Sequence, residues 1–152
     1  MSISLEQVKE LRTETGISIA QCKKALEDAG GDIEQARNLL RERGAEIAIK
    51  KGDREFGAGT VSTYIHAGGN VASMVELVCE TDFVSQNADF KELASDLSMH
   101  VAAMAPVDRE EFLDQDFIKD PSMKISALVL SATQKFGERV DIGRIARFAI
   151  GE

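Results

Sequence analysis

The stretch Val71–Asn87, VASMVELVCETDFVSQN, decides how the rest of the chain is read. From Val71 to Cys79 apolar residues alternate with small or polar ones, the period-two pattern of a half-buried strand. The chain then turns acidic and polar, and Phe83 stands between Asp82 and Val84 in a connection about to enter a helix. A large ring in such a place is either a plug under the fold or an anchor for another protein. The acid before it, Ser85-Gln86-Asn87 after it and the strand-to-helix elbow favour the anchor, because aromatic side chains on rigid elements dominate protein interfaces.

Outward from this stretch, residues 60–65 also alternate, and the loop His66–Asn70, HAGGN, joins the two runs as a β-hairpin. On the other side, Asp89–Ala105 places Phe90, Leu93, Ala94, Leu97, Val101 and Met104 on one helical face and stops at Pro106. Asp108-x-x-Glu111 caps a short acidic helix. After Asp120-Pro121, the residues Ile125, Leu128, Val129, Ala132 and Phe136 mark another amphipathic helix, ended by Gly137. Val140, Ile142, Ala146, Phe148 and Ile150 then alternate as a last strand. The expected fold class is α+β, with residues 60–152 forming a three-stranded antiparallel sheet with helices on one face. Strand residues are apolar on both faces, Val71, Val75 and Leu77 on one, Met74 and Val78 on the other. A second copy of the chain is therefore expected to cover the open face as a homodimer.

Residues 1–44 carry a different pattern. Ser4-x-x-Gln7, Ser18-x-x-Gln21 and Asp32-x-x-Gln35 each have the form of a capping box. Apolar residues follow at helical spacing: Leu5, Val8 and Leu11; Ile19, Cys22, Ala25, Leu26 and Ala29; Ile33, Ala36, Leu39 and Leu40. Gly16, Gly30-Gly31 and Gly44 are placed as helix terminators. The expectation is a small three-helix domain over 1–44, with a charged linker helix and a Gly57-Ala58-Gly59 hinge over 45–59.

Composition narrows the function. The net charge of −8 is uneven: residues 1–55 hold 10 basic and 11 acidic side chains, residues 56–152 hold 8 and 15. Such a balance argues against direct nucleic-acid binding and against a basic membrane-surface patch. No apolar run approaches the roughly 20 residues needed to span a bilayer, and MSISLEQVKE is no secretory signal. With two separated cysteines, the expected location is the cytoplasm or an organelle matrix. Cys22, His66, Cys79 and His100 are too scattered for a metal site. Cys79 lacks the basic neighbour that a thiolate nucleophile needs. Gly57-x-Gly59 is not followed by the helix and Lys-Ser/Thr of a phosphate loop. Tyr64 and His66 lie in or beside a strand, and the spacing puts His100 on a polar helix face. No enzyme, metal or cofactor is expected.

The phrases VKELRTETGISIAQCKKALEDAGGDIEQARNLLRERGA, YIHAGGNVASMVELVCETDFVSQNADFKELASDLSMHVAAMAP and FGERVDIGRIARFAIGE together resemble elongation factor Ts along nearly the whole chain. The resemblance implies a ubiquitin-associated-like N-terminal module, a core domain, and nucleotide exchange on elongation factor Tu. It implies that Thr81, Asp82, Phe83 and Val84 enter the nucleotide domain of that partner. There Phe83 wedges into an apolar cleft beside the helix that organises the magnesium site, and Asp82 disturbs the same region. His66, Ile19, Lys23 and Leu11 are implied as further partner contacts. Short members with one core repeat are expected to dimerise through their sheets. A competing function, a ubiquitin-like-binding adaptor using only the three-helix module, leaves Phe83 unexplained.

The chain departs from the family pattern in places. Ser18-Ile19-Ala20-Gln21 replaces a Gly-Met-Met-Asp, Asn70-Val71-Ala72 an Arg-Val-Gly, and Gly143 an arginine. Only ten residues separate Pro106 from Phe117, where relatives carry several tens that include a protruding helical hairpin. Contacts made by that arm are not expected here.

Overall fold

A computed structural model describes every residue except Met1, Lys51 and Asp53. The chain divides into two compact units, Met1–Asp53 with Leu130–Gly137, and Arg54–Val129 with Glu138–Glu152.

The first unit holds α1 (Leu5–Thr15), α2 (Ile19–Asp28) and α3 (Ile33–Lys50). Ser4 and Gln7 form a reciprocal capping box, both bonds at 3.1 Å. The Ser18 hydroxyl accepts from the Gln21 N–H and the Asp32 carboxylate from the Gln35 N–H, so each helix starts on its own polar cap. Val8, Leu11, Ile17, Cys22, Ala25, Leu26, Ala36 and Leu40 close around one another as the core. The sequence expectation fails at Gly44, which does not terminate a helix. Helix α3 runs through it to Lys50, so residues 45–50 form no separate linker helix. Gly44 is buried, and a Cβ there would lie 2.9 Å from the Gln134 Oε1, so the glycine serves a close approach rather than a turn.

In the second unit, β1 (Ala58–Ile65), β2 (Val71–Cys79) and β5 (Asp141–Ala149) form an antiparallel sheet in the order β1-β2-β5. Helix α5 (Ala88–Met104) lies against β1 and β2, burying Phe90, Ala94, Leu97 and Val101 over Val75, Leu77 and Cys79. This is the α+β arrangement expected from the pattern. Ala58 and Gly59 are not a hinge but the first residues of β1. Gly59 pairs with Val78, and a Cβ on it would lie 2.6 Å from the Leu77 carbonyl. Two further elements escape the sequence pattern, a short hairpin of β3 (Asp116–Phe117) and β4 (Asp120–Lys124). Pro121 masks the second strand in the sequence, and only a sheet edge tolerates it. Between α5 and this hairpin lies α6 (Arg109–Asp114). Helix α7 (Ile125–Phe136) buries Ile125 and Val129 in the second unit.

His100 overturns its expected place on a polar helix face. It is 0 % exposed, stacked 5.5 Å from Phe112 and 6.1 Å from Phe117. A second layer, α6 and the β3-β4 hairpin, covers what the helix periodicity alone leaves open. Nδ1 accepts from the Ile118 N–H at 3.1 Å, so Nε2 carries the proton and donates to the Gln115 side-chain carbonyl at 2.9 Å. Burial holds the imidazole below its ordinary pKa of 6.5. The neutral ring is the folded form, whereas the unfolded chain takes up a proton below that value. Stability is therefore complete above about pH 6.5 and falls as the pH drops, by at most about 1.4 kcal/mol per pH unit for one proton. The urea midpoint should decrease between pH 7.5 and pH 5.5, and His100→Gln should flatten that decrease while lowering the midpoint at neutral pH.

Candidate functional site

At the end of β2 the chain makes a single helical turn, α4 (Asp82–Ser85), before α5 begins. The Ser85 N–H donates to the Thr81 carbonyl and the Gln86 N–H to the Asp82 carbonyl. Val84 and Ser85 are buried, and the Ser85 carbonyl accepts from the Thr60 hydroxyl at 3.4 Å. Successive residues of a helix turn by about 100°, so with Val84 and Ser85 inward, Asp82 and Phe83 must face outward. Phe83 is 89 % exposed, more than any other large apolar side chain among the described residues. The ring is therefore not a plug under the fold; it stands in solvent.

The turn is braced at its start. The Glu138 carboxylate accepts from the Thr81 N–H at 3.0 Å and from the Thr81 hydroxyl at 2.6 Å. One residue earlier, Glu80 accepts from the Arg139 N–H at 2.5 Å and from the Arg54 guanidinium at 3.1 Å. Arg139 in turn donates to the Arg54 carbonyl, and its guanidinium lies 4.3 Å over the Phe56 ring. The Cys79 thiol donates to the Thr81 carbonyl at 3.3 Å. Burial, then the negative charge of Glu138, pushes this thiol upward, as burial does for Cys22, so neither is a nucleophile at neutral pH. Among the described residues no group of three or more His, Cys, Asp or Glu could hold a metal ion, and no helix is long and apolar enough to cross a membrane.

The family model for elongation factor Ts matches residues 5–107 and 80–152. The chain belongs to the elongation factor Ts family. It is 40 % identical over 196 residues to the elongation factor Ts of Herpetosiphon aurantiacus, covering 99 % of each chain. The elongation factor Ts of Thermodesulfovibrio yellowstonii is 35 % identical, over all of this chain and 98 % of the relative. That of Fervidobacterium nodosum is 34 % identical over the whole of both. These alignments run longer than the 152 residues of this chain, so the elongation factor Ts relatives hold residues that have no counterpart here. Between Pro106 and Phe117 this chain has only α6 and the start of β3.

The remaining expected contact residues divide. His66 is exposed at the hairpin turn, with its Nδ1 3.1 Å from the Tyr64 hydroxyl. The nine residues of β2 separate it from the Phe83 turn by about 27 Å, at 3.4 Å per strand residue. Ile19 is 53 % exposed at the start of α2, and Lys23 one turn later is exposed, with Glu27 3.8 Å away. Leu11 is a correction: at 0 % exposure it belongs to the core of the first unit and presents nothing to a partner. Its spacing from Val8 already put it on the inward face of α1. Val84 is likewise buried, so with Ser85 it seats the turn while Asp82 and Phe83 face solvent. Sequence reasoning missed Glu138, which meets Thr81 from 57 residues away and carries no local signal. In thiol titration, Cys22 and Cys79 should react far more slowly in the folded protein than in denaturant, and fast labelling of Cys79 would contradict its burial.

Proposed function

We propose that this chain speeds the release of GDP from elongation factor Tu, with Phe83 as the wedge. The observation that carries this is the ring itself, almost fully exposed on a turn braced from below. An aromatic ring held out on a rigid turn is the kind of side chain that anchors protein interfaces. In the binding mode that the family resemblance implies, Phe83 enters an apolar cleft beside the helix that organises the magnesium site of elongation factor Tu, and Asp82 disturbs the same region. Magnesium bridges protein and nucleotide phosphate, so displacing its supporting helix weakens GDP binding without breaking a covalent bond. By linkage, GDP weakens binding of the exchange factor by the same factor. Burying one phenylalanine supplies roughly 1.5–3 kcal/mol, so other contacts must add to the wedge. Ile19 and Lys23 on α2 and His66 in the hairpin are exposed and suited to that role. Release of labelled GDP from purified elongation factor Tu should accelerate with this protein, and Phe83→Ala should cut the acceleration by roughly tenfold or more, as loss of a buried anchor does. Equal acceleration by the variant would refute the wedge.

A second copy of the chain is proposed on the open face of the sheet. Ile65, Ala72 and Phe148 lie in register across the three strands, beside Met74 paired with Ala146. Phe148 is 77 % exposed, and Ile65, Val61, Met74 and Ile150 are exposed on the same molecule. Glu76 and Arg144 pair at 2.7 Å at the far end, giving the apolar rows a charged border. Sedimentation should show a dimer that dissociates on dilution, and Phe148→Asp should leave a folded monomer; a monomer at every concentration would reject the pairing.

A further inference from the structure

The backbone pairing of β2 with β5 ends at Val78 and Asp141. Beyond it, side chains take over in a reciprocal pattern. Glu80 on the β2 side accepts the backbone N–H of Arg139, and Glu138 on the β5 side accepts the backbone N–H of Thr81. Each carboxylate thus continues the ladder where the two backbones diverge. Glu138 also takes the Thr81 hydroxyl at 2.6 Å, a charge-assisted bond of the strong class.

That second bond is the informative one. Thr81 occupies the N-cap position of α4, where a threonine side chain ordinarily accepts from the first turn of its own helix. Here it makes no such bond and is spent on Glu138 instead. A four-residue turn has no helical cooperativity with which to hold itself, so its direction depends on what grips its first residue. Glu138 is itself held on its C-terminal side. Arg139 is fixed through its N–H and its guanidinium, and Val140 is buried. The carboxylate therefore projects from a constrained base into the one residue that sets the direction of Asp82 and Phe83.

We propose that Glu138 is the positioning residue of the exchange wedge, holding Thr81 so that Phe83 points outward in one orientation before a partner arrives. The inference rests on the wedge function of Phe83 given above. A wedge on a loose turn would have to be ordered at the moment of binding, at a cost in affinity that the clamp removes in advance. Glu138 need not touch the partner for this. It acts through Thr81.

Two measurements on the full chain separate the clamp from the exchange function. In the free protein, backbone order parameters of residues 81–84 should be near the rigid value of about 0.85, and should fall toward about 0.6 in Glu138→Ala and in Thr81→Val. Glu138→Gln should retain the rigid value, because its amide can accept from the Thr81 N–H and donate to the hydroxyl. Unchanged order in both disruptive variants overturns the clamp, whatever the protein does to elongation factor Tu. In GDP release from elongation factor Tu, Glu138→Ala should lose roughly three- to tenfold, the ordering cost of a short segment, with Glu138→Gln close to the parent. In a Phe83→Ala background the same substitution should cost nothing more. A loss of equal size there overturns the proposal, because Glu138 would then act by a route other than Phe83. If the parent protein fails to accelerate release at all, the wedge function falls, and the order parameters still judge the clamp.

Discussion

The packing of α5 onto β2 is the constraint from which the rest of the second unit follows. Phe90, Ala94, Leu97 and Val101 recur every three or four residues and meet Val75, Leu77 and Cys79, which recur every second residue. All of these are fully or almost fully buried, so β2 cannot shift its register without exposing an entire row. With β2 pinned as the central strand, its two ends are pinned too, and those ends carry the exposed His66 and the Phe83 turn. On the same face of β2, the Ser73 hydroxyl donates to the Ser98 backbone carbonyl and the Ser98 hydroxyl meets that of Ser62 at 3.3 Å, which fixes the register further by satisfying polar atoms that have little access to water.

Fixing an exposed aromatic ring demands more than a strand end. The elbow between Cys79 and Val84 uses a buried valine on one side and two carboxylates on the other, and the ring is left as the part that nothing covers. This division of labour explains why adjacent residues of one short motif have opposite environments. Thr81 and Val84 hold the turn, while Asp82 and Phe83 are held out. A family motif read as four equivalent contact residues conceals that difference.

The segment between α5 and α7 shows how a shortened connection can still complete a core. Phe112 and Phe117 stack on His100, and Gln115 and the Ile118 N–H satisfy both ring nitrogens. Arg109 reaches the Ile142 carbonyl at 2.9 Å and the Asp141 carboxylate at 2.6 Å, tying α6 to the edge of the sheet. A histidine that looks polar in helical projection thereby becomes a core residue, and its neutrality a condition of the fold.

Periodicity and turn chemistry by themselves determined the α+β class, the hairpin, the long helix and the three capped N-terminal helices, because each depends on residues close together in the chain. The outward ring was legible too, since Phe83 sits among polar neighbours at an elbow. Gly16 and Gly30-Gly31 were legible as left-handed helix ends. Gly44 and Gly59 resemble breaks in the sequence, yet both are places where another group comes too near for a Cβ. Spacing already turned Leu11 inward, but it could not show that His100 is roofed by Phe112 and Phe117. The bond from Thr81 to Glu138 spans 57 residues, and only the antiparallel return of β5 along β2 brings the two together. Local patterns are set by neighbours along the chain, whereas burial and clamping are set by neighbours in space, and those exist only once the sheet has closed.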